Sequence, residues 1–158
     1  AHAPTRIDRL VLCNTSAAIG LPEVWNTRIA KVRQEGMEGV IDGVLERWFT
    51  APFREKNPAM LARVGKLIRE TPVAGYCGCC RALPKINCTD RLHAIKYPVL
   101  VICGADDPGT PPDMAREIHA AIPGSQLVLI PSAAHLSNLE QVGAFNDALL
   151  GFLDKVAK

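Results

Sequence analysis

The chain of 158 residues has no apolar run approaching the roughly 20 residues that a membrane-spanning helix needs. Charge excess is missing too, and a net charge of +2 gives no reason to expect nucleic acid or an anionic membrane as partner. Ala1-His-Ala-Pro-Thr5 has neither the basic nor the apolar segment of a signal peptide. No repeat or low-complexity tract interrupts the pattern. What remains is an ordinary soluble, globular composition, 48% apolar and 22% charged. The length suits one domain able to bury a real core.

Cysteine is not scarce. Six are present, at positions 13, 77, 79, 80, 88 and 103. Cys13 and Cys103 end apolar runs, where a free thiol behaves as a small hydrophobe. Cys77-Gly-Cys-Cys80 packs three thiols too closely for a stapling framework, so the expectation is free thiols in a reducing cytoplasm. The sharper alternative is a zinc site on Cys77, Cys80, Cys88 and His93. It has one C-x-x-C, but its second ligand pair lacks the usual finger or ribbon spacing.

Periodicity predicts an alternating second half. Residues 7–13, 98–103 and 126–130 read as strands, their continuous apolar runs suiting a sheet covered on both faces. Between the first two lies an all-helical block. Val24, Trp25, Ile29 and Val32 mark a helix from Pro22 to about Glu35, and Met37 to Trp48 a second. Pro52 reads as a break. Asn57-Pro58 starts a third helix with Leu61, Val64, Leu67 and Ile68 inward, and 73–83 a fourth. Thr110-Pro-Pro-Asp113 and Ser137-Asn-Leu-Glu140 read as capping boxes opening the two later helices. Strand and helix in alternation, with short loops, imply a parallel sheet with right-handed crossovers.

Two of these strands empty into residues with chemistry. Val99–Cys103 leads into Gly104-Ala-Asp-Asp107-Pro108, and Leu127–Pro131 into Ser132-Ala-Ala-His135. Ligands bind at the strand C-termini of open parallel sheets. A carboxylate that orients an imidazole, and an imidazole that moves protons near neutral pH, serve a Ser or Cys nucleophile. No residue presents itself clearly as that nucleophile.

The Gly104-Ala-Asp-Asp107 loop and the late His135 resemble the downstream half of an α/β-hydrolase. Arg9-Leu-Val-Leu-Cys-Asn-Thr-Ser16, Glu46-Arg-Trp-Phe-Thr50, Gly75-Tyr-Cys-Gly-Cys-Cys80 and Ala134-His-Leu-Ser-Asn-Leu-Glu140 are more specific, and resemble the 3-oxoadipate enol-lactonases. The resemblance covers essentially the whole chain. It implies an α/β fold: the C-terminal part of an α/β-hydrolase, parallel strands with a helical cap insertion. Residues 1–21 would be a core strand and loop, 22–84 the cap, and 85–158 the core elements bearing acid and base.

By the same resemblance Asp107 is the triad acid, with Asp106 its neighbouring competitor. His135 is the general base, while His2, His93 and His119 read as surface residues. Trp48 would wall the substrate pocket, though it also continues the apolar stripe from Val44. Arg47, Arg54 and Arg81 compete to hold a substrate carboxylate. Ser137, near His135, reads as a helix cap rather than a nucleophile, and Cys77, Cys79 and Cys80 lack a paired base. The resemblance implies ester hydrolysis of a small-molecule lactone in the bacterial cytoplasm, without metal or organic cofactor.

Enzymes of this kind carry their serine in a Gly-x-Ser-x-Gly elbow, which this sequence lacks. The resemblance places Ala1–Arg6 at the tail of the helix after the elbow. The expected partner is therefore a nucleophile-bearing N-terminal half, covalent or not, and the chain alone is expected to be inactive. Rival readings are a related esterase or haloperoxidase-like hydrolase, or a non-catalytic remnant that binds a partner through its bare strand edge.

Overall fold

The structure, a computed structural model, describes residues 6–155. His2 and the rest of residues 1–5 lie outside the described residues. The chain divides into two units, one formed by the chain up to Ala17 together with Cys88 onward, the other by Ala18–Asn87.

The first unit is built on a parallel sheet of three strands in the order β1-β2-β3: β1 Leu10–Cys13, β2 Val99–Gly104 and β3 Gln126–Ile130. β1 is shorter than the 7–13 reading. Its ladder runs from Leu10↔Val99 to Cys13↔Ile102, and before it Arg9 pairs with Asp8 and donates to Leu153 O. β2 is buried along its whole length because helices cover both of its faces. Val99, Val101 and Cys103 face Ala115, Ile118 and Ile122, and Leu100 and Ile102 on the opposite face pack with Ile130, Ala133 and Phe152. Period-two alternation along one strand thus feeds two separate apolar clusters.

The second unit is helical: α1 Pro22–Glu35, α2 Ile41–Trp48, α3 Ala51–Lys56, α4 Pro58–Arg69 and α5 Val73–Ala82. Gly36, at φ 71°, ends α1 in a backbone conformation that side chains disfavour. Its core includes Ile29, Val32, Val40, Ile41, Val44, Phe49, Val64, Ile68, Cys77 and Cys80. Two details depart from the sequence reading. Pro52 does not break the pattern but sits in the first turn of α3, where its missing N–H costs nothing. Leu67, assigned inward, is 60% exposed, because Val64 and Ile68 take the buried stripe of α4.

In the first unit α6 spans Pro112–Ala121, and the expected last helix is two pieces, α7 Ser137–Glu140 and α8 Val142–Lys155. They are separated at Gln141, whose φ −126° and ψ 60° are not helical. Phe145, Ala148, Phe152 and Leu153 of α8 lie on the sheet.

Candidate active site

The loops after β2 and β3 meet at one place. Ala105 N donates to Ile130 O at 2.8 Å and Asp106 N to Ala133 O at 2.9 Å, so the acid-bearing loop is laced to the following strand's exit. Gly104 makes this approach possible, since a Cβ there would drive into the carbonyl oxygens of Ala133 and Ala134.

This lacing sets Asp107 against His135. His135 Nδ1 lies 2.8 Å from Asp107 Oδ2. The Asp107 side chain is fully buried and the imidazole 29% exposed, so the acid is shut in while the base remains accessible. Asp106 is exposed, which removes it as the competing acid for this contact.

Asp107 is held on every side. Its Oδ1 accepts from Gly109 N at 2.8 Å and Thr110 N at 3.0 Å. Its Oδ2 accepts from Thr110 Oγ1 at 2.7 Å and Asn14 Nδ2 at 3.0 Å besides the imidazole. Burial alone would push the carboxyl's pKa up. The hydrogen bonds from His135, Asn14 and Thr110 outweigh it and hold Asp107 well below the usual carboxylate range, ionised at neutral pH. Toward such an acceptor the imidazole presents an Nδ1 proton, which leaves Nε2 as the basic nitrogen.

Two residues of this network were given other duties by the sequence, and a third was not singled out. Thr110 does not cap α6, whose cap position is Pro111; its hydroxyl goes to Asp107 instead. Ser137 does not cap either. It is the first residue of α7, wholly buried, and donates to Asn14 Oδ1 at 2.6 Å. Its partner in the expected capping box, Glu140, turns back to accept from Ala134 N. Asn14, just past the strand expected over 7–13, stands at the tip of β1 with φ 44° and bridges Asp107 and Ala134. The available clue was position: polar residues following apolar strands, all at the same sheet edge.

The remaining candidates are placed as follows. Trp48 is half-buried at the end of α2. Arg54 reaches Glu46 at 3.9 Å while its Nε is buried without a partner, and Arg81 is exposed. Arg47 is half-buried, and burial together with neighbouring Arg28 lowers its pKa. All six cysteines are free, and burial, with Asp107 nearby, pushes the Cys103 thiol up to about 11. That thiol is protonated at neutral pH and a poor nucleophile. His93 is exposed, and His119 sits half-buried with Nδ1 2.8 Å from Ser125 Oγ. Among the described residues no group of three or more His, Cys, Asp or Glu is gathered to hold a metal ion. Nor is any helix among them long and apolar enough to cross a membrane.

Known proteins share this fold. A family profile described as alpha/beta hydrolase fold matches residues 1–142. The chain belongs to the α/β-hydrolase fold family. It is 34% identical over 148 residues to 3-oxoadipate enol-lactonase 2 of Acinetobacter baylyi, covering 94% of this chain and 55% of that protein. The crystal structure of the enol-lactonase from Burkholderia xenovorans superposes with a TM-score of 0.91 at 41% identity, over 94% of this chain and 57% of that one. A thermophilic esterase from Thermogutta terrifontis gives 0.88 at 29% identity, over 97% and 58%. The chain thus spans just over half the length of these relatives, and its three parallel strands and flanking helices are a partial α/β-hydrolase fold.

Proposed function

We propose that this chain supplies the acid and the base of a serine-type carboxylic ester hydrolase whose substrate is 3-oxoadipate enol-lactone. The observation that carries the reading is the 2.8 Å contact between an ionised, buried Asp107 and the partly exposed His135. The likeness to enol-lactonases favours the lactone. In the reaction a serine hydroxyl attacks the lactone carbonyl and His135 takes its proton. The same imidazole then protonates the departing enolate oxygen, and water releases 3-oxoadipate. Asp107 holds the ring in one tautomer throughout and balances the imidazolium. The serine is not in any Gly-x-Ser-x-Gly of this sequence, so it belongs to an additional segment that also continues the sheet beside β1. By itself the chain is expected to be inactive. Trp48 would wall the pocket and Arg47, Arg54 or Arg81 hold the substrate carboxylate. The bacterial cytoplasm is the expected setting.

The test joins the chain, by fusion or mixing, to a hydrolase segment carrying the serine elbow and follows loss of the enol-lactone. Turnover should appear only in the joined form and fall about 10⁴-fold in Asp107→Asn, with a loss at least as large in His135→Ala. Activity that survives His135→Ala sinks the proposal. The likeness to the thermophilic esterase supports a second reading, a related esterase. Aryl esters hydrolysed faster than the lactone would favour it.

A further inference from the structure

Asn14 comes from β1, the strand that contributes neither the acid nor the base, yet it touches the loops of both. Its Nδ2 donates to Asp107 Oδ2 at 3.0 Å and to Ala134 O at 3.2 Å, one residue before His135. Its Oδ1 accepts from Ser137 Oγ at 2.6 Å, two residues after His135. The amide therefore grips the His135 segment from both sides and fastens it to the acid. We propose that Asn14 is a positioning residue for the Asp107–His135 pair, and that Ser137 braces its amide.

Several features support the assignment. Asp107 is already fixed by Gly109 and Thr110 of its own loop, so Asn14 is not needed to hold the acid in place. What Asn14 adds is a tie from the acid to both flanks of His135. Asn14 sits at φ 44°, in the left-handed region that costs a non-glycine residue energy; asparagine is among the residues that tolerate it best. That turn aims the side chain at the exits of β2 and β3. The sense of the amide follows from chemistry: Asp107 Oδ2 and Ala134 O can only accept, so Nδ2 faces them and Oδ1 is left to receive the hydroxyl proton of Ser137. Ser137 is wholly buried, and without its hydroxyl Oδ1 would lose the hydrogen bond that braces that side of the amide.

The catalytic consequence rests on the hydrolase reading, but the positioning itself can be tested without turnover. Nitrogen-15 NMR of the His135 ring would compare the wild-type chain with Asn14→Gly, Ser137→Ala and the double variant. Glycine accepts the left-handed backbone, so that change removes the amide alone. Solvent exchange of the Nδ1 proton should speed up about tenfold or more in Asn14→Gly, the factor expected from losing a hydrogen bond to a charged group. Ser137→Ala should give a smaller acceleration, with more of the Nε2–H tautomer. The double variant should match Asn14→Gly, because Ser137 acts through Asn14. Unchanged exchange in the folded variants, or effects that simply add, would overturn the proposal. Should Asn14→Gly fail to fold, Ser137→Ala decides alone, and an unaltered His135 ring overturns it. Loss of ring order without hydrolysis in any joined form would instead count against the hydrolase reading and leave the positioning role standing.

Discussion

Asp107 is a buried charge that the protein keeps ionised, and at the scale of one residue this couples stability to pH. Burial opposes the charge, and five hydrogen-bond donors reverse that cost. Its pKa is lower in the folded chain than the ~3.9 of an unfolded aspartate. The unfolded state therefore takes up the proton first on acidification. The contribution of Asp107 is complete above about pH 4 and fades as the pH falls toward the folded value. Urea unfolding of the wild type and of Asp107→Asn should show their stabilities converging between neutral pH and about pH 3. A constant gap across that range would mean that the carboxylate is not held as described. The site's identity was half legible at this scale. Asp107 and His135 stood out by their place after apolar strands. Asn14, Thr110 and Ser137 did not, because a polar residue at a strand end or helix start reads equally well as a stop or a cap.

At the scale of elements, the distance between acid and base is set by how closely the β2 exit passes the β3 exit. Gly104 is a point of close approach, with the carbonyls of Ala133 and Ala134 occupying the space of a Cβ. Gly104→Ala should separate the two loops, lengthen the Asp107–His135 contact and cost about 3 kcal/mol or more of stability. A denaturant midpoint equal to the wild type would refute this. The strands were legible from their unbroken apolar runs, and α1 and α5 from periodicity. The start of α3 at Ala51 was not, since proline opens a helix as readily as it ends one, and the break falls at Gln141, which is no helix breaker.

For the molecule as a whole, the sheet is the incomplete part. Among the described residues β1 pairs only with β2, so its other edge presents unpaired backbone groups. Cys13, exposed on that strand, offers no charge to discourage pairing. The chain on its own should therefore self-associate as its concentration rises. Cys13→Lys should reduce light scattering at equal concentration, as charge on an edge strand does elsewhere. Scattering unaffected by the lysine, or absent in the wild type, would show the edge to be protected. The chain matches just over half the length of the two enol-lactonases it is compared with.

The sequence by itself determined the strands, most of the helices, the family and the two residues, Asp107 and His135, that the fold brings into contact. Those follow from local patterning, because burial on two faces demands continuous apolar runs and a parallel sheet delivers its functional groups at strand ends. Only the tertiary structure decided what surrounds the pair. Asn14 lies 93 positions before Asp107 and 123 before Ser137 in the chain, and no local pattern encodes a hydrogen bond across such a span. Those bonds exist because three parallel strands bring their ends to one edge, where polar side chains that are buried must find each other.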